Sequence, residues 1–461
     1  MNFFFDPRNI AVIGASPHAS KGGNILVRNL RTGFDGPIYP VNPKYGIIEE
    51  LTCYPSVRAI PFSVDLAIML VPSSQVLEHL EDCIAAGVPG VIIESGGFAE
   101  GGPEGKAIQS ALTRRARETG IRIWGPNCMG IVDGRKNRAF SFMTPRVLKA
   151  GIFPGDVSLV VQSGVLASTY LDDILSNGLM GISKICSIGN KADVNECDIL
   201  AYLLEDPQTR VIGCYLESFA QGRRFLELCR KKGDKPIVVL QGGKSTKGAQ
   251  AAMSHTASLA GNARIVSGAL TQTGAVEARD FTQLIDFCRT LALIPPPSTP
   301  PPGRIAILTF SGGAGILAAD FMDELGLSVA NLSQETLLAL GHLFPDWMPV
   351  NNPVDIWPAV EKNLKTNTNT VQEALGILLA DGAVDGVLLL GVLGNPRVSV
   401  QLSDFIEEMK DAHKPVLCSF MGNRELAYRC QVEARALGLP VFADLYRAVE
   451  CMALVFNQRR T

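Results

Sequence analysis

The stretch IAVIGASPHASKGGN, residues 10–24, decides the fold of the first part of the chain. A short apolar run is followed by a glycine-containing turn and then by a helix-length amphipathic segment, the pattern of a buried strand that leads into a helix. Apolar runs of the same kind recur at PIYPVN, LAIMLVP, GVIIES and IRIWGPN. Their alternation with helical segments predicts an α/β domain with a parallel sheet over residues 1–133.

The same alternation begins again twice further along the chain. SLVVQSG, SKICSIG, RVIGCYLES and KPIVVLQGGK mark a second unit, residues 150–294, and the proline-rich IPPPSTPPPG at 294–303 reads as a semi-rigid linker. The third unit, residues 303–461, opens with RIAILTFSGGAG, which repeats the order of strand, Ser-Gly turn and helix in SLVVQSGVLAS. We therefore predict an α/β protein with a Rossmann-like domain followed by two related flavodoxin-like domains.

Bulk composition argues against several classes of function. The chain has 461 residues, of which 47% are hydrophobic and 19% charged, and its net charge of -3 provides no basic field for nucleic acid. The start lacks the basic region of a signal peptide, and the apolar runs are far shorter than the roughly 20 residues that cross a bilayer. The 11 cysteines show no metal-ligand spacing. We expect a cytoplasmic protein that binds no nucleic acid, membrane or metal of its own.

The turn after the first strand has the composition of a phosphate-binding loop. Its glycines let the backbone approach a phosphate, and the following helix start favours an anion, although turn geometry alone would also explain them. An NAD site prefers G-x-G-x-x-G and an acidic residue about 20 positions further on. Lys44, in YPVNPK, stands instead where that acid should fall, and Lys21 adds a second cation. A phosphorylated ribose, as in coenzyme A, fits better than NAD, which disfavours an NAD(P)-linked oxidoreductase.

Three further loops follow strands and should meet at the same sheet edge: VPSS (71–74), ESGGF (94–98) and GPNCMG (125–130). Together with the first two loops they resemble the CoA-binding domain of the NDP-forming acyl-CoA synthetases, relatives of the succinyl-CoA synthetase α subunit. His18 departs from the family's turn and receives no role, and Cys128 is interpreted as structural. The resemblance implies that CoA is bound by Gly14, Ser16, Lys21, Gly22, Gly23, Asn24, Lys44, Val71, Ser73, Glu94, Ser95, Gly96 and Asn127.

His255 is the one of five histidines whose context suggests chemistry. It lies in GGKSTKGAQAAMSHTASLAGN (242–262), whose small residues predict a loop that two sites could approach, although a surface histidine is the alternative. A neutral imidazole is a competent nucleophile near neutral pH. Ser163 and Gly164, at the start of a helix, offer a phosphate site, and Glu217, at the end of GCYLES, could orient the ring through its second nitrogen.

The pieces QSG, YLES, SHTASLAG and SIGNKADV (187–194) resemble the same synthetase family in order and spacing. That resemblance implies a phosphorylated His255 supported by Glu217. Ala257 stands where the family commonly has glycine, so we expect a loop with less freedom. SIGNKADV receives no individual catalytic roles. SGGAGILAAD and NNPVDIWP resemble the third domain, where Ser311 lacks a nucleophile elbow and is predicted to cap a helix.

The resemblance implies an α-type subunit of an ADP-forming acyl-CoA synthetase of the acetate–CoA ligase type. Such a subunit converts acyl-CoA, ADP and phosphate reversibly to acid, CoA and ATP through an acyl phosphate and a phosphohistidine. The sequence shows no ATP-grasp-like segment, so we expect an ATP-grasp β-type partner, in a heterotetramer, that carries ADP or ATP and Mg²⁺. The small-molecule acyl substrate and the choice of ADP or GDP stay open, and a noncatalytic CoA-binding scaffold or regulatory protein is the alternative.

Overall fold

The computed structural model describes residues 1–256, 262–294, 302–364, 369–393, 402 and 413–457. They fall into two compact units: the first comprises Met1–Ser176 and Met180–Leu284, the second Asn177–Leu179 and Ile285–Thr461. Residues 295–301 of the predicted linker lie outside the described part of the chain. The predicted domain boundaries at residues 133, 150, 294 and 303 therefore stay a prediction.

The first sheet of unit 1 is parallel and has the strand order β2-β1-β5-β6-β7. A small antiparallel hairpin, β3–β4, forms a separate two-stranded sheet. The strands are β1 (Ile10–Ile13), β2 (Ile38–Val41), β3 (Ile47–Ile48), β4 (Leu51–Thr52), β5 (Leu66–Met69), β6 (Gly90–Ile93) and β7 (Arg122–Trp124). The helices are α1 (Asn2–Phe5), α2 (Gly22–Gly33), α3 (Ser73–Ala85) and α4 (Pro103–Thr119), with 3₁₀ turns at Val57–Ala59 and Ala99–Gly101.

The second sheet, also in unit 1, has the order β14-β13-β12-β10-β11-β8-β9. Its strands are β8 (Ile131–Asp133), β9 (Arg138–Phe140), β10 (Pro154–Val161), β11 (Ile182–Ser187), β12 (Val211–Leu216), β13 (Ile237–Gln241) and β14 (Val276–Ala278). Its helices are α5 (Pro145–Ala150), α6 (Gly164–Ser176), α7 (Glu196–Glu205), α8 (Gly222–Arg230), α9 (Thr246–Thr256) and α10 (Ala263–Gln272). The next helix, α11 (Phe281–Leu293), begins in unit 1 and belongs to unit 2 from Ile285 onward. The β8–β9 hairpin, which the sequence pattern did not reveal, pairs antiparallel with β11.

The third sheet belongs to unit 2 and is parallel, with the order β16-β15-β18-β19-β20 and β17 beside β15. Its strands are β15 (Arg304–Thr309), β16 (Ser328–Val329), β17 (Val354–Asp355), β18 (Gly386–Leu393), β19 (Val416–Gly422) and β20 (Val441–Phe442). Its helices are α12 (Gly312–Glu324), α13 (Gln334–Leu343), α14 (Trp357–Asn363), α15 (Thr370–Ala380), α16 (Arg424–Leu437) and α17 (Leu445–Asn457). Ser311 caps α12 by accepting from the N–H of Ala314, as predicted.

Burial explains why the central strands are apolar throughout. Every residue of β1, β5 and β6 is buried, as expected for parallel strands that are covered on both faces. One hydrophobic cluster runs through both sheets of unit 1, and the indole N–H of Trp124 donates to the carbonyl of Ser187 at 2.7 Å between them. The architecture agrees with the predicted α/β class. Among the described residues, no helix is long and apolar enough to span a bilayer.

The segment that carries His255 differs from its prediction. Residues 246–256 form helix α9 and not a loop. Ser245 starts the helix, because its hydroxyl accepts from the N–H of Gly248 at 3.0 Å. Lysine, alanine, glutamine and methionine in this stretch favour a helix more than its glycine opposes it. Ala257 and the residues up to 261 lie outside the described part of the chain.

Candidate functional site

A cavity of about 700 Å³ opens at the carboxyl ends of β1, β2 and β5. Among the residues predicted to bind CoA, those that line it are Gly14, Ser16, Lys21, Gly22, Gly23, Lys44 and Val71. The lining also includes residues that were not predicted to bind CoA, namely His18, Asn42, Tyr45, Gln75, Glu78 and His79. Gln75, Glu78 and His79 all lie on α3, so the helical spacing after VPSS was the available signal.

Two glycines close the turn that shapes this cavity. Gly14 has a φ of +87°, and a Cβ added there would lie 2.3 Å from the carbonyl oxygen of Leu70. A Cβ on Gly23 would lie 2.1 Å from the carbonyl oxygen of Gly14. Backbone atoms cannot yield as a side chain can, so only glycine lets β1 and α2 approach so closely. The start of α2 is thereby held at the edge of the cavity.

The charge of the cavity suits a phosphorylated ligand. Lys21, Lys44, His18 and His79 face it from three elements, whereas Glu78 is the acidic residue among the described lining. Ammonium groups bind phosphates as point charges, and a helix start adds favourable N–H groups. The residues therefore fit the diphosphate and 3′-phosphate groups of CoA.

The remaining predicted CoA residues do not line the cavity: Asn24, Ser73, Glu94, Ser95, Gly96 and Asn127. Asn24 donates through Nδ2 to the carbonyl of Ser16 at 2.9 Å and to Oε1 of Glu49 at 2.8 Å. The hydroxyl of Ser95 accepts from the N–H of Val71 at 3.1 Å. These two side chains hold the loops that carry lining residues. Direct contacts of the six with CoA stay a prediction.

Glu94 and Cys128 are buried together behind the loop edge. Burial raises the pKa of Glu94 well above its usual value, and its side chain occupies the space left by Gly130, where a Cβ would lie 2.5 Å from Oε1. Cys128 donates through Sγ to the carbonyl of Ile93 at 3.4 Å, and burial raises the pKa of the thiol. A thiol kept protonated is a poor nucleophile, which agrees with the structural interpretation of Cys128.

The predicted phosphate site lies beside the CoA-side loops. Ser163 and Gly164 follow β10, and α6 begins at Gly164. A Cβ on Gly164 would lie 3.1 Å from Cγ of Met129 and 3.7 Å from the carbonyl carbon of Cys128. The helix start therefore abuts the GPNCMG loop of the first sheet. Its free N–H groups and dipole favour an anion at this junction.

Glu217 is buried at the end of β12, close to the segment that leads to His255. The hydroxyl of Tyr215 donates to Oε1 of Glu217 at 3.3 Å. Gly242, which follows β13, packs against this pair, since a Cβ there would lie 3.0 Å from the Tyr215 hydroxyl and 3.4 Å from Cγ of Glu217. His255 belongs to α9, and its side chain lies outside what the structure describes. Its predicted pairing with Glu217 stays a prediction.

A polar network centred on Gln162 connects the start of α6, the end of β12 and the SIGNKADV loop. The amide oxygen of Gln162 accepts from the N–H groups of Glu217 and Ser218 at 2.8 and 3.2 Å, and from Nζ of Lys191 at 3.2 Å. Gln162 directly precedes Ser163, so one side chain links the helix start to the strand end that carries the glutamate. Gln162 belongs to the motif QSG and Lys191 to SIGNKADV, but no local pattern indicates that the two side chains are in contact.

Comparisons with known proteins agree with this arrangement. The family described as "CoA binding domain" matches residues 8–133, and "Succinyl-CoA ligase like flavodoxin domain" matches residues 154–291. The α subunit of ADP-forming acetate–CoA ligase II from Pyrococcus furiosus is 36% identical over 427 residues, which cover 91% of this chain and 90% of the relative. The chain belongs to the family of ADP-forming acetate–CoA ligases. The predicted resemblance is thereby confirmed.

Other members of the ligase family match along nearly the whole chain. ADP-forming acetate–CoA ligase II of Archaeoglobus fulgidus is 34% identical over 98% of this chain, which spans 66% of that relative's length. Acetyl-coenzyme A synthetase 1 of Candidatus Korarchaeum cryptofilum, solved with phosphate and ADP, superposes with a TM-score of 0.86 at 29% identity, over 99% of this chain and 96% of that one. The predicted fold class, a CoA-binding domain followed by flavodoxin-like domains, is confirmed.

Proposed function

We propose that this chain is the α-type half of an ADP-forming acyl-CoA synthetase. The observation that carries the proposal is the contact between the start of α6 and the GPNCMG loop, where Gly164 meets Met129. An anion held at the helix start would lie beside the loops assigned to CoA. A phosphate there is placed to attack the thioester of a CoA ester bound in the first domain.

The proposed reaction has two covalent steps on this chain. An oxygen of phosphate attacks the thioester carbonyl, the carbon–sulfur bond breaks, and CoA leaves as its thiolate while an acyl phosphate forms. A ring nitrogen of His255 then attacks phosphorus, and the phosphorus–oxygen bond to the acyl group breaks to release the carboxylate. Glu217, already fixed through its backbone by Gln162, is assigned to hydrogen-bond the second ring nitrogen and stabilise the charged ring. Ser163 and Gly164 are assigned to the phosphate.

The third step is assigned to a partner. Transfer of the phosphoryl group from His255 to ADP with Mg²⁺ is proposed to occur on an ATP-grasp β-type subunit, in a heterotetramer. The name of the Pyrococcus furiosus relative as a subunit alpha supports a partner. The first two steps need only acyl-CoA and phosphate, so they can be tested with this chain alone.

A labelling experiment tests the proposal. The chain is incubated with acetyl-CoA and ³²P-phosphate, and the protein is assayed for label that is acid-labile and base-stable, as expected of phosphohistidine. Label should appear on wild type and on His342→Asn, an exposed histidine of α13, but not on His255→Asn. Equal labelling of the two variants would refute the role of His255. A wild-type chain that binds CoA but takes no label would instead favour the noncatalytic CoA-binding alternative.

A further inference from the structure

Lys191 is a buried lysine whose charge is fully engaged inside the network described above. Its Nζ lies 2.7 Å from the carbonyl oxygen and 3.2 Å from the hydroxyl of Ser218, 3.2 Å from Oε1 of Gln162 and 3.1 Å from Oε2 of Glu196. Its side chain is 4% exposed and that of Glu196 is not exposed. Its backbone adopts a φ of +56°, which L-residues other than glycine adopt only at a cost. The backbone conformation of this loop thus places the ammonium group of Lys191 in the protein interior.

Glu196 extends the network to the next loop. It opens α7, and its Oε1 accepts from the N–H of Ala220 at 2.6 Å. The pair Lys191–Glu196 thus fastens residues 217–220, after β12, at two points. Burial lowers the pKa of Lys191, and the carboxylates of Glu196 and Glu217 oppose that effect. The ion pair with Glu196 therefore favours the charged form of the lysine in this position.

We propose that Lys191 is a positioning residue for phosphoryl transfer, acting through Gln162 to fix Glu217 relative to the start of α6. An ammonium group has three N–H donors, and four oxygens already surround this one, so it has no donor left for a phosphate. It acts on the reaction through other residues. The inference rests on the proposed function, because it assigns the geometry of Glu217 a role in phosphohistidine formation.

Gln162 is the means by which Lys191 acts. Its amide oxygen accepts hydrogen bonds from the N–H groups of Glu217 and Ser218, and its Nε2 donates to the Ser218 hydroxyl at 3.3 Å. Without the lysine, this amide would lose the donor that holds its oxygen toward both N–H groups. A glutamate displaced by even 1 Å from its partner can reduce a rate on the order of 100-fold.

The same unit contains a matched control. Lys184 and Asp206 form another buried ion pair, with Nζ and Oδ2 2.7 Å apart and side chains 4% and 7% exposed. Lys184 lies on β11, and its further contact is Oε1 of Gln208 at 3.3 Å. None of these contacts reaches Gln162. Removing this pair should cost stability in a similar way without disturbing the helix start or Glu217.

The test compares two double variants that each leave no unpaired buried charge. Lys191→Met/Glu196→Gln and Lys184→Met/Asp206→Asn are assayed by circular dichroism, by CoA titration and by the rate of phosphohistidine formation from acetyl-CoA and ³²P-phosphate. For the first variant we expect the labelling rate to fall on the order of 10-fold or more, with the Kd for CoA within about twofold of wild type. The control should label at nearly the wild-type rate. Gln162→Leu, which keeps the Lys191–Glu196 pair, should slow labelling in the same way.

The outcomes separate the two proposals. If both Lys191→Met/Glu196→Gln and Gln162→Leu fold, bind CoA and label as fast as the control, the positioning role is wrong and the proposed function stands. If one of these two variants is unfolded, the labelling rate of the other variant decides whether the positioning role stands. A wild-type chain that fails to label, or label that persists in His255→Asn, counts against the proposed function itself. A fall in CoA affinity equal to the fall in rate would indicate a general structural role and would also overturn the inference.

Discussion

Replacing Lys44 by methionine should weaken the binding of CoA more than that of dephospho-CoA. Lys44 lines the cavity and is exposed, and it stands where an NAD site would carry an acid. If it faces the 3′-phosphate on the ribose, its removal deletes an ion pair that dephospho-CoA never makes. Dephospho-CoA therefore serves as the ligand in which the effect should vanish.

The exposure of Lys44 sets the size of the effect. Two unit charges about 4 Å apart attract by about 1 kcal/mol in water and by about 4 kcal/mol near a partly shielded surface. An exposed lysine belongs near the lower value. We therefore expect Lys44→Met to raise the Kd for CoA about fivefold, equivalent to about 1 kcal/mol, and to change the Kd for dephospho-CoA by much less.

Titration calorimetry with both ligands provides the measurement. Lys106→Met is the matched control, because Lys106 is an exposed lysine of α4 that does not line the cavity. The difference between wild type and Lys44→Met should shrink at about 0.5 M salt, where the screening length falls to a few ångströms. Equal weakening of both ligands, or a loss that salt does not reduce, would refute the assignment of Lys44 to the 3′-phosphate.

Three further predictions follow from buried groups. Glu217→Gln keeps the shape of the side chain but removes its charge, and we expect phosphohistidine formation to slow roughly 10- to 100-fold with an unchanged Kd for CoA. Gly23→Ala would place a Cβ 2.1 Å from the backbone oxygen of Gly14; it should cost about 3 kcal/mol in urea unfolding, whereas Gly268→Ala, with open space around it, should not destabilise. Burial raises the pKa of Glu94, so above about pH 4.3 its side chain stays neutral in the folded protein but ionises on unfolding. Its contribution to the free energy of unfolding is therefore present below that pH. It is lost at about 1.4 kcal/mol per pH unit as the pH rises toward the folded pKa. Glu94→Gln should therefore flatten the dependence of unfolding free energy on pH, and an unchanged slope would contradict a buried neutral acid.

Much of the fold could be predicted because parallel strands are buried on both faces. β1, β5, β6 and β18 read as continuous apolar runs, and their periodicity needs no knowledge of neighbours. The hairpin β8–β9 was not predicted because each of its strands has three residues and because β8 pairs with β11, about fifty residues later. Such pairing depends on a free sheet edge, which no local pattern reports.

The candidate site also contains residues that could be predicted from the sequence and residues that could not. Gly14 and Gly23 lie in a glycine-rich turn that the sequence marks, and the structure requires glycine at both, at Gly14 because of its positive φ and at Gly23 because the Gly14 carbonyl oxygen is so close. Gln75 and His79 were missed because the helical spacing after VPSS shows that they share a face of α3 but not that this face meets the cavity. Asn24 was assigned to CoA, and the structure adds that its Nδ2 donates to Ser16 and Glu49, while its contact with CoA stays a prediction. A motif marks a position, while the direction of a side chain depends on tertiary contacts.

The loop SIGNKADV also bears on which part of the site can move. Its backbone is fastened to the CoA-side loop, since the N–H groups of Asn190 and Ala192 donate to the carbonyls of Pro126 and Gly125, both at 2.9 Å. Its Lys191 is fastened to the phosphate-side loops through Gln162. One short loop thus ties the place proposed for the thioester to the place proposed for the phosphate. If a phosphoryl group travels from there to a second site, these anchored loops are poorly suited to carry it.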